Sequence, residues 1–440
     1  MTRRGRKLGG LIRPAVRPRV VVRAAFTYAA LSRLARGRER RGPLEVPAWA
    51  QGAEGAESLA GESRPRISVV VPARDEFERI AGVLAPLLGP AGGRGAEDRP
   101  IAPGVVEVIV VDDRSADGTA DLARAHGARV IEGSELPTGW LGKSWALQQG
   151  LVAATGDIVV FLDADVQPDP RLPAAVAALL EDGANLASAQ LAFEIPDDAQ
   201  RILHPALLAT LIYRIGPLDS TQRIPASVAG INGQCFAARR NELIGAGGFG
   251  LISAIPTDDI ALARALSGAG WRIAVADGSS LGSVRMYESA AEAMREWAGR
   301  SLALPGASPR ARQLFDLGVV WTVQGLPGLR VWRGLIRGLL RGSIRDGFAV
   351  LRPFDVAMLA IRWSLQLGLA QVYRRELSVT VGDEDSAVEG EGTSGLEGGV
   401  VSVSTVDRLA LLAPFVDPIA AVALTRGTLA PVRRWRGREI

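Results

Sequence analysis

The sequence is poor in the residues that form disulfides and nitrogen- or sulfur-rich metal sites. It has one cysteine, Cys235, and two histidines, His126 and His204, among 440 residues. A single cysteine cannot form an intrachain disulfide, which favours a reducing compartment, and so few Cys and His residues exclude a structural zinc site of the usual kind. A metal site would have to be built from carboxylates, which favour hard cations such as Mg²⁺ or Mn²⁺.

Lysine is scarce too, and the basic charge is unevenly placed. Lys7 and Lys143 are the only lysines, and residues 1–41 carry thirteen Arg or Lys residues against the single acidic Glu39. A basic end beside apolar stretches fits the anionic cytoplasmic face of a membrane. We therefore predict a membrane partner and no nucleic acid.

Long apolar runs are also missing. Residues 9–35, 347–373 and 406–425 are apolar, but charged residues or prolines interrupt each of them. None offers the roughly 18 uninterrupted apolar residues that a spanning helix needs, and a cleavable signal is not predicted. Short or re-entrant membrane helices stay open, because charges are tolerated in a membrane when they pair or face protein.

Composition divides the chain into three parts. Residues 1–65 are predicted to form a basic N-terminal arm and a flexible linker rich in Gly, Ala, Pro and Glu. Residues 66–305 are the predicted catalytic domain. Residues 306–440 are expected to be helical and membrane-associated, with a disordered acidic loop at about residues 380–403.

Four short apolar runs predict buried parallel strands. They cover residues 67–71, 105–111, 128–132 and 157–163, and helical patterns at 76–88, 117–126 and 142–154 separate them. Such units predict an α/β fold with a single, mostly parallel central sheet flanked by helices. Ligands of these sheets bind beyond the carboxyl ends of the strands, and three of the four runs end in acidic or polar clusters.

Residues 330–345 have a basic side and an apolar side at helical spacing. The arginines are Arg330, Arg333, Arg337, Arg341 and Arg345, and the apolar residues include Trp332, Leu335, Ile336, Leu339 and Leu340. One interpretation is a packed helix with a solvated basic face. The other, which we favour, is an interfacial helix with its apolar face in a bilayer and its arginines among phosphate head groups.

The acidic pair Asp163 and Asp165 is the most specific local signal for chemistry. Two carboxylates one residue apart after a buried strand point the same way, and they can share a divalent cation that also takes diphosphate oxygens. Asp112 and Asp113 follow another strand and can accept hydrogen bonds from a ribose or a base. Asp75, after the first strand, either joins the binding site or merely caps the next helix.

These segments occur in a recognisable order: VPARDE, VDDRSADGT, GWLGKSWALQQG, FLDADVQPDP, NGQCFAARR and TDDIALARAL. Over about residues 66–305 the chain resembles the family 2 glycosyltransferases, whose GT-A fold is a nucleotide-sugar-binding α/β domain. LPTGWLGKSWALQQG, RMYES and RRWRGREI more narrowly resemble the membrane-associated branch of hopanoid-associated and carotenoid-acid glycosyltransferases.

The resemblance implies that one half of the site binds the sugar donor. Asp112 and Asp113 would contact the nucleoside, with Asp75 and Glu76 nearby. Lys143, on a glycine-rich turn before a helix, either adds positive charge near the phosphates or stabilises its own loop.

The resemblance also assigns the metal and the general base. Asp165, helped by Asp163, would hold Mg²⁺ or Mn²⁺ on the donor diphosphate. Asp258 and Asp259 match the acidic pair of the family whose second member removes the proton of the acceptor hydroxyl, so Asp259 is the predicted base.

Two further segments supply the acceptor side and one more donor contact. Gly233 and Gln234 resemble the acceptor-side strand, where a glycine permits close approach of a ligand. Trp297 matches a tryptophan that lines the acceptor channel in processive relatives, or it simply packs its helix. The Gln and Arg of the processive motif are missing here. In those relatives the Arg neighbours the donor diphosphate, and either Arg295 or Arg300 takes its place on the donor side.

Together these features predict a metal-dependent, inverting glycosyltransferase. It would transfer one sugar from a nucleotide-sugar donor, most simply a UDP-sugar, to a lipid or lipid-like acceptor at the cytoplasmic face of the cell membrane. The alternatives are a nucleotidyltransferase on the same type of fold, an enzyme like a processive polysaccharide synthase, and a catalytically decayed membrane scaffold.

Overall fold

The computed structural model describes most of the chain. The described residues are 18–51, 64–90, 102–219, 221, 224–369, 374–380, 400–406, 408–430, 434–435 and 438–439. Residues 1–17 of the predicted arm, residues 52–63 of the predicted linker and residues 381–399 of the predicted acidic loop lie outside them.

A seven-stranded sheet forms the centre of the fold. Its strand order is β3-β2-β1-β4-β8-β6-β9. These strands are β1 Ile67–Ala73, β2 Val105–Asp112, β3 Arg129–Glu132, β4 Ile158–Leu162, β6 Leu186–Gln190, β8 Cys235–Arg239 and β9 Ile273–Asp277. Strand β8 is antiparallel to both of its neighbours, and the other pairings are parallel. The predicted α/β class and mostly parallel sheet are confirmed.

Both faces of this sheet are buried, which explains its continuous apolar strands. In β1, Val69 and Val71 face one hydrophobic cluster and Val70 faces the other. This alternation is the two-residue period of a strand. The helices Ile80–Leu88 and Leu172–Glu181 cover the first face, and Gly142–Ala153 and Asp258–Gly268 cover the second.

The remaining elements surround the sheet. Strands β5 Val166–Pro168, β10 Gly282–Val284 and β7 Ala192–Phe193 form a three-stranded sheet, and β11 Arg374–Thr380 with β12 Val400–Val406 and β13 Arg434–Trp435 with β14 Arg438–Glu439 form antiparallel pairs. The other α-helices are Pro18–Ala35, Thr119–Ala125, Asp198–Ile215, Arg240–Gly245, Ala290–Ala293, Arg310–Val320, Leu326–Arg341, Ile344–Phe348, Pro353–Leu369 and Asp417–Leu429. Met294–Ser301 and Trp321–Gly325 are π-helices, and Arg36–Arg38, Ala48–Ala50, Ala226–Val228, Gly248–Ile252 and Ala410–Val416 are 3₁₀-helices.

The described part of the N-terminal region packs against the rest of the protein. Ala30, in the helix Pro18–Ala35, is buried in a hydrophobic cluster that also contains residues of the helix Asp198–Ile215. Arg33 forms a buried ion pair of 2.9 Å with Asp316. Residues 42–51, expected to be part of a flexible linker, instead bury Leu44 against the central sheet.

Buried ion pairs satisfy the charges that interrupt the apolar C-terminal segments. Arg362 Nε lies 2.9 Å from an oxygen of Asp417, and Gln324 donates a hydrogen bond of 2.9 Å to the same carboxylate. Asp355 accepts a hydrogen bond from Arg330. Residues that appear as isolated interruptions in the sequence are therefore partners in space, as their burial requires.

The spacing of the amphipathic segment 330–345 predicts one helix, but the structure divides the segment between two helices. The helix ends at Arg341, Gly342 adopts a left-handed conformation with φ of +61°, and the short helix Ile344–Phe348 turns back against it. A Cβ on Gly334 would lie 2.7 Å from the carbonyl oxygen of Gly347, so glycine permits this close crossing. The result is a helical hairpin rather than a single face.

Apolar side chains are exposed at the turn of this hairpin. Leu339 is 85%, Leu340 80% and Ile344 79% exposed. Among the described residues, one helical stretch, Ala410–Leu429, is long and apolar enough to cross a membrane, and half of it is buried inside the protein. A core helix of a soluble protein meets the same criterion.

A glycine in the helix Gly142–Ala153 allows this helix to pack on the sheet. A Cβ on Gly150 would overlap Val70 and lie 3.2 Å from Cγ2 of Val111. We expect Gly150→Ala to lower the free energy of unfolding by about 1–3 kcal/mol through overpacking. Urea denaturation followed by circular dichroism measures this change.

Gly268→Ala is the matched control, because nothing lies within 4 Å of a Cβ at that position. It should leave the stability unchanged or raise it by up to ~1 kcal/mol through helix propensity. Equal stability of the two variants would contradict the packing argument.

Candidate active site

A cavity of about 690 Å³ lies at one edge of the central sheet. It is bordered by the segments that follow β1, β2 and β4 and by the segment that precedes the antiparallel strand β8. Its lining includes the charged residues Arg74, Glu76, Asp113, Lys143, Asp163, Asp165, Asp258 and Asp259. The acidic clusters that are far apart in the sequence therefore meet in one cavity, at the carboxyl ends of the parallel strands.

The loops after β1 and β2 hold each other in place. The Asp75 backbone N–H donates to Ser115 Oγ, and the Asp75 carboxylate accepts from the Ala116 N–H, both at 2.9 Å. The Glu76 N–H donates to Thr119 Oγ1 at 2.9 Å. Asp75 itself adopts a left-handed φ of 54°, a strained conformation that persists only when neighbouring contacts fix it.

This arrangement separates the roles of Asp75 and Glu76. Asp75 is not among the cavity-lining residues, and its carboxylate serves the contact between the two loops. Glu76 lines the cavity. The helix predicted from residue 76 begins only at Ile80, because the preceding residues are held in the loop.

The adjacent acids Asp112 and Asp113 also differ. Asp113 lines the cavity, and its carboxylate lies 3.3 Å from Arg74 Nη1. Asp112 accepts a hydrogen bond of 3.2 Å from the Ser115 N–H through Oδ2, while its Oδ1 is buried and accepts none in the described structure.

Lys143 connects the two acidic pairs of the cavity. Its ammonium lies 2.8 Å from Asp163 Oδ1 and 3.4 Å from Asp258 Oδ2. Burial alone would lower the pKa of the Lys143 ammonium, but Asp163 and Asp258 outweigh burial and raise the pKa above its ordinary value. The side chain is therefore positively charged at every physiological pH.

Asp165 lies near Lys143 and Asp163 but forms no ion pair with Lys143 in the described structure. Burial, followed by the nearby charges of Asp163 and Glu76, raises the pKa of Asp165 to about 7. Its Oδ1 is buried and accepts no hydrogen bond in the described structure. A cation would relieve both the repulsion and the unsatisfied oxygen.

Asp259 occupies the first turn of the helix Asp258–Gly268, beside Gly233. Its Oδ1 accepts a hydrogen bond of 2.7 Å from the Ile260 N–H. Burial, followed by the charge of Asp258, raises the pKa of Asp259 to about 7. A Cβ on Gly233 would lie 2.9 Å from Cβ of Asp259, so the missing side chain of Gly233 makes room for Asp259 as well as for the cavity.

The structure places the other predicted acceptor residues, and the two arginines predicted on the donor side, as follows. Gln234 lines the cavity, and its Oε1 is buried without a hydrogen bond in the described structure. Trp297 also lines the cavity and contacts the His204 ring at 4.7 Å between centroids. Arg295 is exposed and is not among the lining residues. The side chain of Arg300 lies outside the described structure.

One half of the cavity is apolar. The helix Asp198–Ile215 contributes Leu208, Leu211, Ile212 and Ile215, and Trp297, Leu302, Leu304 and Leu369 lie around it. Sequence analysis did not single out this helix, since its leucines have the spacing of any packed helix. Leu369 comes from the C-terminal region, whose contribution only the folded chain reveals.

The N-terminal segment also belongs to the site, although it was not predicted from the sequence. Arg40, Arg41 and Pro43 line the cavity, although they belong to the predicted arm and linker. No local signal distinguishes these arginines from the other basic residues at this end of the chain. Cys235, in contrast, is fully buried, as expected of a small core residue.

The carboxylates fit a hard divalent cation that a substrate helps to bind. Among the described residues, no group of three or more His, Cys, Asp or Glu side chains could hold a metal ion by itself. Asp163 and Asp165 provide oxygen ligands, which suit Mg²⁺ or Mn²⁺, and Mg²⁺ commonly uses one or two carboxylates together with substrate phosphates.

Part of the chain is similar to known glycosyltransferases. Residues 68–247 match the profile of the family described as glycosyl transferase family 2. The chain is 38% identical over 109 residues to a 4,4'-diaponeurosporenoate glycosyltransferase of Staphylococcus haemolyticus, covering 24% of this chain and 26% of that protein. It is 39% identical over 138 residues to a glucosyl-3-phosphoglycerate synthase of Mycolicibacterium paratuberculosis, covering 30% and 39% respectively.

The chain thus spans between a quarter and two fifths of the length of these two curated relatives. Among solved structures, it is similar to a mannosyltransferase from Pyrobaculum calidifontis in complex with GDP-Man and Mn²⁺. The match has 17% identity and a TM-score of 0.46, and it covers 93% of this chain and 97% of that one.

Proposed function

We propose that the protein is a metal-dependent, inverting glycosyltransferase, because residues 68–247 match the profile of glycosyl transferase family 2. It transfers one sugar from a nucleotide-sugar donor to a lipid-like acceptor at the cytoplasmic face of the cell membrane. The observation that carries the proposal is the convergence of Asp163, Asp165, Asp258 and Asp259 on one cavity, joined by Lys143.

The donor occupies the half of the cavity beside β1, β2 and β4. Asp113 and Glu76 line this half and are within reach of the nucleoside. Asp165 and Asp163 would hold Mg²⁺ or Mn²⁺. When bound, the cation stabilises the negative charge that develops on the departing nucleoside diphosphate. Lys143 adds a fixed positive charge beside Asp163.

Removal of the divalent cation should abolish sugar transfer. Purified protein is incubated with native lipid extract and a panel of labelled nucleotide sugars, with and without EDTA, and the labelled lipid and the released nucleotide are identified. We expect chelation to reduce transfer at least a hundredfold and added Mn²⁺ or Mg²⁺ to restore it. A nucleoside diphosphate should be released, whereas pyrophosphate would indicate a nucleotidyltransferase.

Asp165→Asn tests the same site within the chain, and Asp169→Asn is its control. Asp169 forms an ion pair with Arg171 and does not line the cavity. Full turnover in chelator, or equal activity of the Asp165 variant and wild type, would refute the metal role.

Asp259 is the proposed general base for the acceptor hydroxyl. A carboxylate with a pKa of about 7 is a stronger base than an ordinary aspartate and is still ionised at neutral pH in about half of the molecules. The close approach of Gly233 fixes its position. Attack by the activated oxygen on the face of the sugar opposite the leaving nucleotide inverts the anomeric centre.

Substitution of the base should remove transfer and its pH dependence. The Asp259 carboxyl is protonated below its pKa, so the wild-type transfer rate should fall as the pH falls through about 7. Asp259→Asn should reduce kcat at least a hundredfold, while the affinity for the donor, measured by calorimetry, changes little. Activity of this variant above about a tenth of wild type would contradict the assignment.

The apolar half of the cavity supports a lipid-like acceptor. Its lining includes Leu208, Leu211, Ile212, Leu302 and Leu369. Apolar surface of this kind gains free energy when it is covered by a hydrocarbon chain, at roughly 25 cal/mol for each Å² removed from water. A small, fully polar acceptor would leave these walls in contact with water.

The helical hairpin formed by Leu326–Arg341 and Ile344–Phe348 is the proposed membrane contact. Leu339, Leu340 and Ile344 project from its turn, and the exposed residues Arg333 and Arg341 lie within two turns of them. Apolar side chains at the tip and arginines at the height of phosphate groups are typical of an interfacial helix.

Loss of the two most exposed leucines should weaken membrane binding. We expect the double variant Leu339→Ser/Leu340→Ser to bind vesicles of phosphatidylcholine and phosphatidylglycerol at least tenfold more weakly than wild type, because its apolar tip no longer enters the bilayer. Co-sedimentation with vesicles measures the partition.

The double variant Val106→Ser/Val152→Ser is the control. Val106 and Val152 are exposed apolar residues of the catalytic domain. Binding of all three proteins with equal affinity would show that the hairpin is not the membrane contact.

A further inference from the structure

We propose that Arg41 binds an acidic group of the acceptor, a carboxylate or a phosphate, inside the cavity. This inference rests on the proposed function and specifies its substrate class as an acidic amphiphile. The residue lies outside the segment 68–247 that matches the family profile, in a part of the chain predicted to be a basic arm and linker.

Backbone hydrogen bonds place Arg41 at the acceptor end of the cavity. The Arg41 N–H donates to the Asp219 carbonyl at 2.7 Å, and the Leu44 N–H donates to the Asp277 carbonyl at 2.7 Å. Asp277 ends strand β9, which is the edge strand beyond β8 and β6. The proposed donor site lies beside β1, β2 and β4, on the other side of β8.

Three neighbouring arginines of the N-terminal segment are already engaged. Arg33 pairs with Asp316 and also donates to the Tyr213 carbonyl, both at 2.9 Å, Arg36 donates to the Ile215 carbonyl at 2.5 Å, and Arg40 pairs with Asp219 at 2.6 Å. Each of the three holds the segment against the end of the helix Asp198–Ile215 or the residues that follow it. Their charges therefore have a structural function.

Arg41 differs from these arginines. It is half-buried and lines the cavity, its Nε is buried without a hydrogen bond, and its guanidinium forms no ion pair with the described part of the chain. Asp219 and Asp277 also line this end of the cavity, but neither forms an ion pair with Arg41 in the described structure. Asp219 pairs with Arg40 through Oδ2, and its Oδ1 is buried without a hydrogen bond; Asp277 accepts a hydrogen bond from the Ser279 N–H. A buried donor without a partner costs free energy, which a bound anion recovers.

The surroundings of Arg41 specify the rest of the ligand. Ile215, Pro217 and Leu218 line the same end of the cavity, and the leucines of the helix Asp198–Ile215 continue the apolar wall. A guanidinium beside an apolar wall is complementary to an acid that carries a hydrocarbon chain. Asp259, the proposed base, lines the same cavity.

The test compares the binding of amphiphiles of equal chain length to the purified full-length protein. Decanoate, decyl phosphate and decanol are titrated by calorimetry into wild type, Arg41→Gln and Arg38→Gln, at concentrations at which they are monomeric. Arg38 is the control, because it is exposed and does not line the cavity. Thermal unfolding by circular dichroism verifies that each variant is folded.

We expect wild type and Arg38→Gln to bind at least one of the two anions more tightly than decanol. Arg41→Gln should lose about tenfold or more of this affinity and keep the affinity for decanol, since only the charge-assisted hydrogen bonds are removed. The comparison of decanoate with decyl phosphate distinguishes a carboxylate from a phosphate as the recognised group.

Two results would overturn the inference. In the first, the Arg41→Gln variant binds both anions with the affinity of wild type, or its affinity for decanol falls by the same factor as its affinity for the anions. The other is a loss of UDP affinity in this variant without a loss of anion selectivity, which would assign Arg41 to the donor. The binding measurement needs no turnover. If anion selectivity depends on Arg41 but the protein transfers no sugar, the proposed function is refuted and the anion site at Arg41 is not.

Discussion

The ammonium of Lys143, between Asp163 and Asp258, is the contact on which the site depends. Four carboxylates, of Asp163, Asp165, Asp258 and Asp259, share one cavity, and without a cation among them their mutual repulsion would push the two pairs apart. Lys143 stands at the start of the helix Gly142–Ala153, which is fixed on the central sheet by the contact of Gly150 with Val70. The packing of the sheet therefore sets the distance between the proposed metal site and the proposed base.

The helix Asp198–Ile215 is the second element on which the site relies, because it has two functions at once. One face lines the cavity with Leu208, Leu211 and Ile212, and the other belongs to a hydrophobic cluster shared with the N-terminal and C-terminal helices. Buried charges such as Arg33 with Asp316 join these segments. The regions on either side of the predicted catalytic domain thus complete the apolar half of the cavity, the proposed acceptor half, instead of forming separate appendages.

Residues of similar appearance in the sequence have different functions in the structure. Asp75 and Glu76 are adjacent acids, yet Asp75 accepts a hydrogen bond from the second loop and Glu76 lines the cavity. Arg40 and Arg41 are adjacent bases, yet the Arg40 side chain pairs with Asp219 and the Arg41 Nε is buried without a hydrogen bond in the described structure. Neither distinction is predictable from the residues, because it depends on which distant group each side chain meets.

The sequence alone determined the α/β class, four strands of the central sheet and the acidic pairs that face the cavity. These features depend on local properties: β-branched runs favour strands, and carboxylates that follow parallel strands meet at one edge of the sheet. The tertiary structure alone decided that the charges of the C-terminal segments pair with each other, that residues 330–345 turn back at Gly342, and that Arg41 reaches the cavity. Each of these results depends on contacts between residues far apart in the chain, and such contacts leave no periodic pattern in the sequence.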